Sequence, residues 1–185
     1  MNQSAQSDPA IGQVAVSQWP DEIFQHFKDN DIRQVGYVPD AGHARLIRLC
    51  TDDTSIRNVP LTSEIEGIAL AAGAWLGGQR SALLMQSSGI GNCINMISLI
   101  RSCRFPLLML AAMRGEWGEI NPWQVPISSS AEEILKACDF ITYRCTFPQD
   151  VGPTIAAAID MAFQNQYPVV VFLSQRLTGS KKKAK

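Results

Sequence analysis

Thr62-Ser63-Glu64-Ile65-Glu66-Gly67-Ile68-Ala69-Leu70-Ala71-Ala72-Gly73 reads as a helix start that runs into an apolar, alanine-rich helix. A helix of this kind packs against a sheet rather than facing water. Ser63 and Glu66, three residues apart, spell a capping box, in which hydroxyl and carboxylate each satisfy an orphan backbone N–H of the first turn. Glu64 is left over at the first helical position. It either complements the positive end of the helix dipole, worth roughly 0.3–1 kcal/mol, or it is a carboxylate put to chemical use.

The flanking segments decide what the helix packs on. Asn58-Val59-Pro60-Leu61 reads as a short strand before it, and Ser81-Ala82-Leu83-Leu84-Met85-Gln86 as a continuous apolar strand after it. A strand apolar on both faces belongs to a parallel sheet covered by helices. The same alternation extends both ways. Upstream, helical spacing over 19–28 precedes a strand over 33–38, a break at Pro39-Asp40-Ala41-Gly42 and a helix over 44–49. Downstream come a helix over 92–100, a buried strand over 106–111 and a long polar loop over 114–130. A helix over 131–137, a strand over 140–145, a helix over 151–165 and a strand over 168–173 follow. The pattern predicts an α/β fold: a doubly wound, mainly parallel six-stranded sheet with helices on both faces. The expected layout is a flexible leader over 1–15, one domain over 16–176 and a basic flexible tail over 177–185.

Composition excludes several classes of function. The 185 residues suit one domain that buries about two thirds of its unfolded surface. With 16 basic and 17 acidic residues and a net charge of −1, nothing points to nucleic acid or a membrane surface as a partner. No stretch reaches the roughly 18 apolar residues of a membrane span, and the N-terminus lacks a secretory pattern. Five scattered cysteines without a C-x-x-C pair read as core thiols in a reducing compartment, so the expected location is cytoplasmic.

In doubly wound folds ligands bind beyond the carboxyl ends of the strands. Four segments compete for that place: 39–43, 62–64, 86–92 and 114–124. Gln86-Ser87-Ser88-Gly89-Ile90-Gly91-Asn92 is a small-residue turn whose backbone can approach a ligand closely, although it is neither G-x-G-x-x-G nor a P-loop. A tight strand-to-helix turn that uses glycine's freedom explains it equally well. Asp40 and His43 could hold a proton for transfer, or Asp40 could simply be a turn aspartate. Arg114 could grip an anion or pair with Glu116 or Glu119 in its own loop. Trp117 and Trp123 offer apolar surface for another chain or a pocket wall. No G-x-S-x-G elbow occurs, which removes a serine-hydrolase reading.

Together these blocks resemble the pyrimidine-binding domain of thiamine-diphosphate enzymes, over about residues 35–173. The carrying residues are Val38-Pro39-Asp40, Thr62-x-Glu64-x-Glu66-Gly67, Ala71-Ala72-Gly73-Ala74, Met85-Gln86-x-Ser88-Gly89-x-Gly91-Asn92-x-Ile94-Asn95, and Arg114-Gly115-x-x-Gly118-Glu119 with Pro122, Gln124 and Pro126. The pattern is nearest that of sulfopyruvate decarboxylase alpha subunits and the matching half of phosphonopyruvate decarboxylases. The resemblance makes Glu64 catalytic, as the group that hydrogen-bonds the cofactor's aminopyrimidine ring and favours its imino tautomer. It places Glu64, Gly89, Ile90, Gly91 and Asn92 at the cofactor, and Asp40, His43, Gln86, Arg114 and Gln124 at the substrate. Ser87 stands where the family usually has asparagine, and His43 is an unexpected residue at its place.

The resemblance also implies something this chain lacks. Related enzymes hold magnesium and the diphosphate through a Gly-Asp-Gly motif with asparagines, and no aspartate here precedes a glycine. The cofactors implied are thiamine diphosphate and Mg2+, the latter bound by a partner, with no metal ligand in this chain. The partner implied is a beta-type, diphosphate-binding subunit in an alpha2beta2 assembly. The activity implied is decarboxylation of a small anionic 2-oxo acid. The alternatives are a subunit of another thiamine-diphosphate lyase or ligase and a non-catalytic α/β binding or regulatory module.

Overall fold

The computed structural model describes residues 19–179. The leader over 1–15 and the lysines of the tail lie outside the described residues. Six strands, β1 (Ile32–Tyr37), β2 (Arg57–Pro60), β3 (Arg80–Gln86), β4 (Leu107–Ala112), β5 (Ile141–Cys145) and β6 (Pro168–Leu173), form one sheet in the order β2-β1-β3-β4-β6-β5. Every adjacent pair is parallel. The helices are α1 (Trp19–Asp29), α2 (Ala44–Asp52), α3 (Glu64–Leu76), α4 (Ile90–Cys103), α5 (Val125–Ala137), α6 (Pro148–Phe163) and a short α7 (Gln175–Thr178). α7 crosses the boundary expected at residue 176, and its Leu177 packs against the core.

Period-two side-chain alternation divides the core between the two faces of the sheet. Leu108 and Leu110 of β4 and Val169 and Val171 of β6 pack with Ile23, Phe27, Leu46 and Ile155 under α1, α2 and α6. Leu107, Met109, Val170 and Phe172 face the other way, with Ile68, Ile90, Ile97 and Leu135 under α3, α4 and α5. All six residues of β4 are buried, the continuous apolar run that a doubly covered parallel strand requires. Gly67 lets α3 lie close to the sheet, because a Cβ there would stand 2.9 Å from Leu83 Cδ2 and 3.0 Å from Leu61 Cδ1.

Two local expectations are corrected. The loop expected over 114–130 ends at residue 124, since a 3-10 turn at Pro122–Gln124 leads directly into α5 at Val125. Pro126 falls in the first turn of α5, where its missing N–H costs nothing. The Ser129 and Ser130 hydroxyls donate back to the Pro126 carbonyl, so polar serines fit a helix they would otherwise disfavour. The capping box of α3 is half made. Ser63 forms no side-chain cap, and the Glu66 carboxylate accepts from the Thr62 N–H at 2.9 Å, one residue further back than the motif prescribes.

Candidate functional site

The chain reverses direction across the sheet at β1: β2 lies on one side of it and β3 on the other. The crevice beyond the carboxyl ends of β1 and β3 is therefore the topological switch point, the usual ligand position in such sheets. Asp40 follows β1 and Gln86 ends β3, and Gln86 Nε2 donates to Asp40 Oδ1 at 2.8 Å, tying the two strand ends together. Gly42 permits this approach, since a Cβ there would come within 2.9 Å of both Asp40 Oδ2 and Ala112 Cβ.

His43 sits just ahead of α2 with its ring fully buried. Its Nδ1 lies 3.3 Å from Asp40 Oδ2, but the direction is poor. Asp40 Oδ2 and both His43 ring nitrogens have no hydrogen-bond partner among the described residues. Unpaired buried polar atoms are rare in folded proteins and call for an explanation. Burial pushes the Asp40 carboxyl up, and His43 and the Gln86 hydrogen bond more than offset it, leaving the group below its ordinary value. Asp40 therefore stays ionised although it is nearly buried.

Asp40 forms one wall of a cavity of about 220 Å³ that Arg114, Ala112, Met113, Thr178 and Gly179 complete. Arg114 follows β4. Its Nε and Nη2 donate side-on to the two carboxylate oxygens of Glu119, both at 2.7 Å. This is the in-loop pairing that the sequence allowed. Its backbone N–H donates to Ser87 Oγ at 3.0 Å, and Ser87 Oγ meets Ser128 Oγ at 2.7 Å. Ser87 thus fastens the turn after β3 to α5 and to the loop after β4.

A second group gathers at the adjoining N-termini of α3 and α4. Asn92 Nδ2 donates to Glu64 Oε2 at 2.9 Å, while Oε1 accepts no hydrogen bond among the described residues. The Glu64 carboxylate lies directly over Gly89, where a Cβ would stand 2.5 Å from Glu64 Cγ and Cδ. Both helix N-termini favour a negative charge here. The structure thus joins Glu64, Gly89 and Asn92 in one cluster and Asp40, Gln86 and Arg114 in another.

Four expected site residues add no side-chain hydrogen bond to these clusters among the described residues. Ile90 is a fully buried core side chain. Gly91 faces Ile127 of α5, from which a Cβ would be 3.3 Å away. His43 stands behind Asp40 and does not line the cavity, and Gln124 lies outside the lining with its Oε1 buried and unpaired. Conversely, Thr178 and Gly179 enter the wall and Gln175 supports it from α7. Their one sequence signal is a position just past β6, the same strand-end rule that marked the other four segments. Among the described residues no group of three or more His, Cys, Asp or Glu side chains is placed to hold a metal ion. No described helix is long and apolar enough to cross a membrane.

No family model matches the chain. Two curated relatives match most of its length. It is 36% identical over 150 residues to the sulfopyruvate decarboxylase subunit alpha of Methanocaldococcus jannaschii, covering 80% of this chain and 89% of that one. Identity to the subunit of the same name from Methanococcus maripaludis is 32% over 152 residues, covering 82% and 91%. Among solved structures, a 2-oxoglutarate:ferredoxin oxidoreductase from Magnetococcus marinus aligns with a TM-score of 0.67 at 14% identity. That alignment covers 86% of this chain and 29% of the other, and it shows a shared fold. The α/β fold, the crevice at the switch point and relatives matched over nearly their whole length agree: the chain belongs to the family of sulfopyruvate decarboxylase alpha subunits.

Proposed function

We propose that this chain is the half of a thiamine-diphosphate-dependent decarboxylase that supplies the carboxylate facing the cofactor's aminopyrimidine, and that the enzyme acts on a small 2-oxo acid with a second anionic group, such as 3-sulfopyruvate. The observation that carries the reading is the state of Glu64. One carboxylate oxygen is held by Asn92, the other accepts no hydrogen bond among the described residues, and the carboxylate rests in the space that a side chain at Gly89 would fill. An uncommitted acceptor oxygen at two helix N-termini fits a ring nitrogen that shares a proton. Thiamine diphosphate, when bound, supplies the electron sink that accommodates the charge left as carbon dioxide departs.

The described residues do not fit the Mg2+ and diphosphate. Hard cations need several oxygen ligands; among the described residues no such group gathers, and no Gly-Asp-Gly occurs in the sequence. A beta-type partner therefore holds them, and the simplest assembly is alpha2beta2. Ile65 and Leu76, at opposite ends of α3, and Ile94 of α4 are exposed apolar side chains that suit burial against that partner. At the cavity, ionised Asp40 and Arg114 face the substrate, Arg114 toward its anionic end.

The test is calorimetry with thiamine diphosphate and Mg2+. The expected result is little or no binding to this chain alone and tight binding once a diphosphate-binding partner is added. Tight binding by the isolated chain would overturn the division of labour.

A further inference from the structure

Arg114 has five N–H donors in a rigid plane. Glu119 engages the Nε–H and one Nη2–H in a side-on fork, and Nη1 makes no hydrogen bond among the described residues. A bidentate fork fixes the guanidinium plane more firmly than a single contact does. Glu119 is itself pinned. Its carboxylate also accepts from the Gly115 N–H at 3.3 Å, the Asn121 N–H at 2.9 Å and Gln175 Nε2 at 3.1 Å. Only 3% of the Glu119 side chain is exposed.

Gln175 comes from a different part of the chain, α7 beyond β6, and is itself buried. Besides holding Glu119, its Oε1 accepts the Glu116 and Trp117 N–H groups at 3.2 and 3.0 Å. Its own N–H donates to Glu116 Oε1 at 2.8 Å. One residue further on, the Arg176 guanidinium lies over the Trp117 ring, 4.5 Å from its centroid. The loop after β4 is thereby strapped to α7. Thr178 and Gly179, at the end of that helix, wall the same cavity as Arg114. A loop rich in glycine and polar residues would otherwise be mobile and would hold an arginine poorly.

We infer that Glu119 and Gln175 are positioning residues that hold Arg114 as a fixed fork at the cavity wall, and so set the enzyme's preference for a substrate with a second anionic group. The inference rests on the reading that Arg114 meets that group. Glu119 and Gln175 do not line the cavity and act through Arg114. The pairing also explains how a bipolar cavity keeps its form. Without Glu119, the Arg114 guanidinium would be free to swing toward ionised Asp40 and close the space.

The test uses the complex with its partner subunit and two competitive inhibitors, dianionic 3-sulfopropionate and monoanionic butyrate. Glu119→Gln and Gln175→Glu are both nearly isosteric, and the second sets a carboxylate against Glu119. Each is expected to weaken 3-sulfopropionate inhibition and raise the KM for 3-sulfopyruvate about tenfold, with kcat changed less than about threefold and butyrate inhibition unchanged. Arg114→Met is expected to abolish the preference for the dianion. If Arg114→Met abolishes it while both positioning variants assemble and keep it, the strap has no such role. If Arg114→Met itself leaves the preference intact, the substrate reading of Arg114 fails and this inference falls with it. A loss that strikes 3-sulfopropionate and butyrate equally would show a merely structural role and overturns the proposal. Should one positioning variant fail to assemble, the other decides.

Discussion

Replacing Gly89 by alanine tests the site through its tightest contact. Gly89 has φ −66° and ψ −20°, a right-handed conformation that alanine adopts without strain. The whole effect therefore comes from the added methyl group. It would stand 2.5 Å from Glu64 Cγ and Cδ, where ordinary contact begins near 3.4 Å. The carboxylate must retreat by about 0.9 Å, and a displacement near 1 Å at a reacting group costs on the order of 100-fold in turnover. The side chain sits at the partly exposed start of α3 and can move outward, so fold stability falls by at most about 1–3 kcal/mol. The assay is turnover of the reconstituted complex, with urea unfolding of the chain alongside. Gly73→Ala, where no atom lies within 4 Å of the new Cβ, is the control for helix stability, and it is expected to stabilise the isolated chain by about 0.5–1 kcal/mol. Gly89→Ala turning over at the rate of the unsubstituted enzyme would refute the placement of Glu64 over this turn.

Other outcomes follow from the same geometry. Ser87→Ala strands the Ser128 hydroxyl and the Arg114 N–H in a buried place and is expected to cost about 1–3 kcal/mol in urea unfolding; no change in midpoint would contradict the tie. The Arg114 fork lowers the Glu119 carboxyl from 4.5 to about 2. A depressed carboxyl stabilises the fold above its unfolded value and loses that contribution as pH falls through the folded one. Stability measured by urea should thus decline between about pH 4.5 and 2, with a shallower decline in Glu119→Gln, and identical pH profiles would count against the pair. Burial pushes the Cys50 and Cys93 thiols up to about 12, whereas Cys103 is exposed. A thiol reagent at pH 8 should label Cys103 first and reach Cys50 and Cys93 only on unfolding; early labelling of Cys50 would contradict the packing under α1 and α2.

The sheet was legible because its strands carry their own signature. β3, β4 and β6 are unbroken apolar runs between helical segments, and only a parallel sheet covered on both faces explains such runs. The positions of Glu64, Asp40, Gln86 and Arg114 were legible for a related reason, since each lies at or within four residues of the carboxyl end of a strand. The start of α5 was not. Pro126 and three consecutive serines read as loop; the tertiary contact of Ser128 with Ser87 holds the segment in place, and Ser129 and Ser130 satisfy their hydroxyls locally on the Pro126 carbonyl. The roles of Glu119 and Gln175 were hidden as well. Their hydrogen bonds join segments 56 residues apart, and no local pattern encodes that distance. Glu66 shows the limit of a motif: the carboxylate caps the helix, but at Thr62 rather than at Ser63.

If Glu64 activates a cofactor held largely by another chain, Glu64→Gln in the reconstituted complex separates turnover from assembly and cofactor binding. Glutamine keeps the size and can still accept from Asn92, so assembly and cofactor binding by calorimetry should remain close to those of the unsubstituted enzyme. Turnover of 3-sulfopyruvate should fall by a factor of about 100 to 10,000, the usual worth of a positioned proton-sharing group. A Glu64→Gln complex that binds cofactor and turns over at near the unsubstituted rate would remove Glu64 from the chemistry.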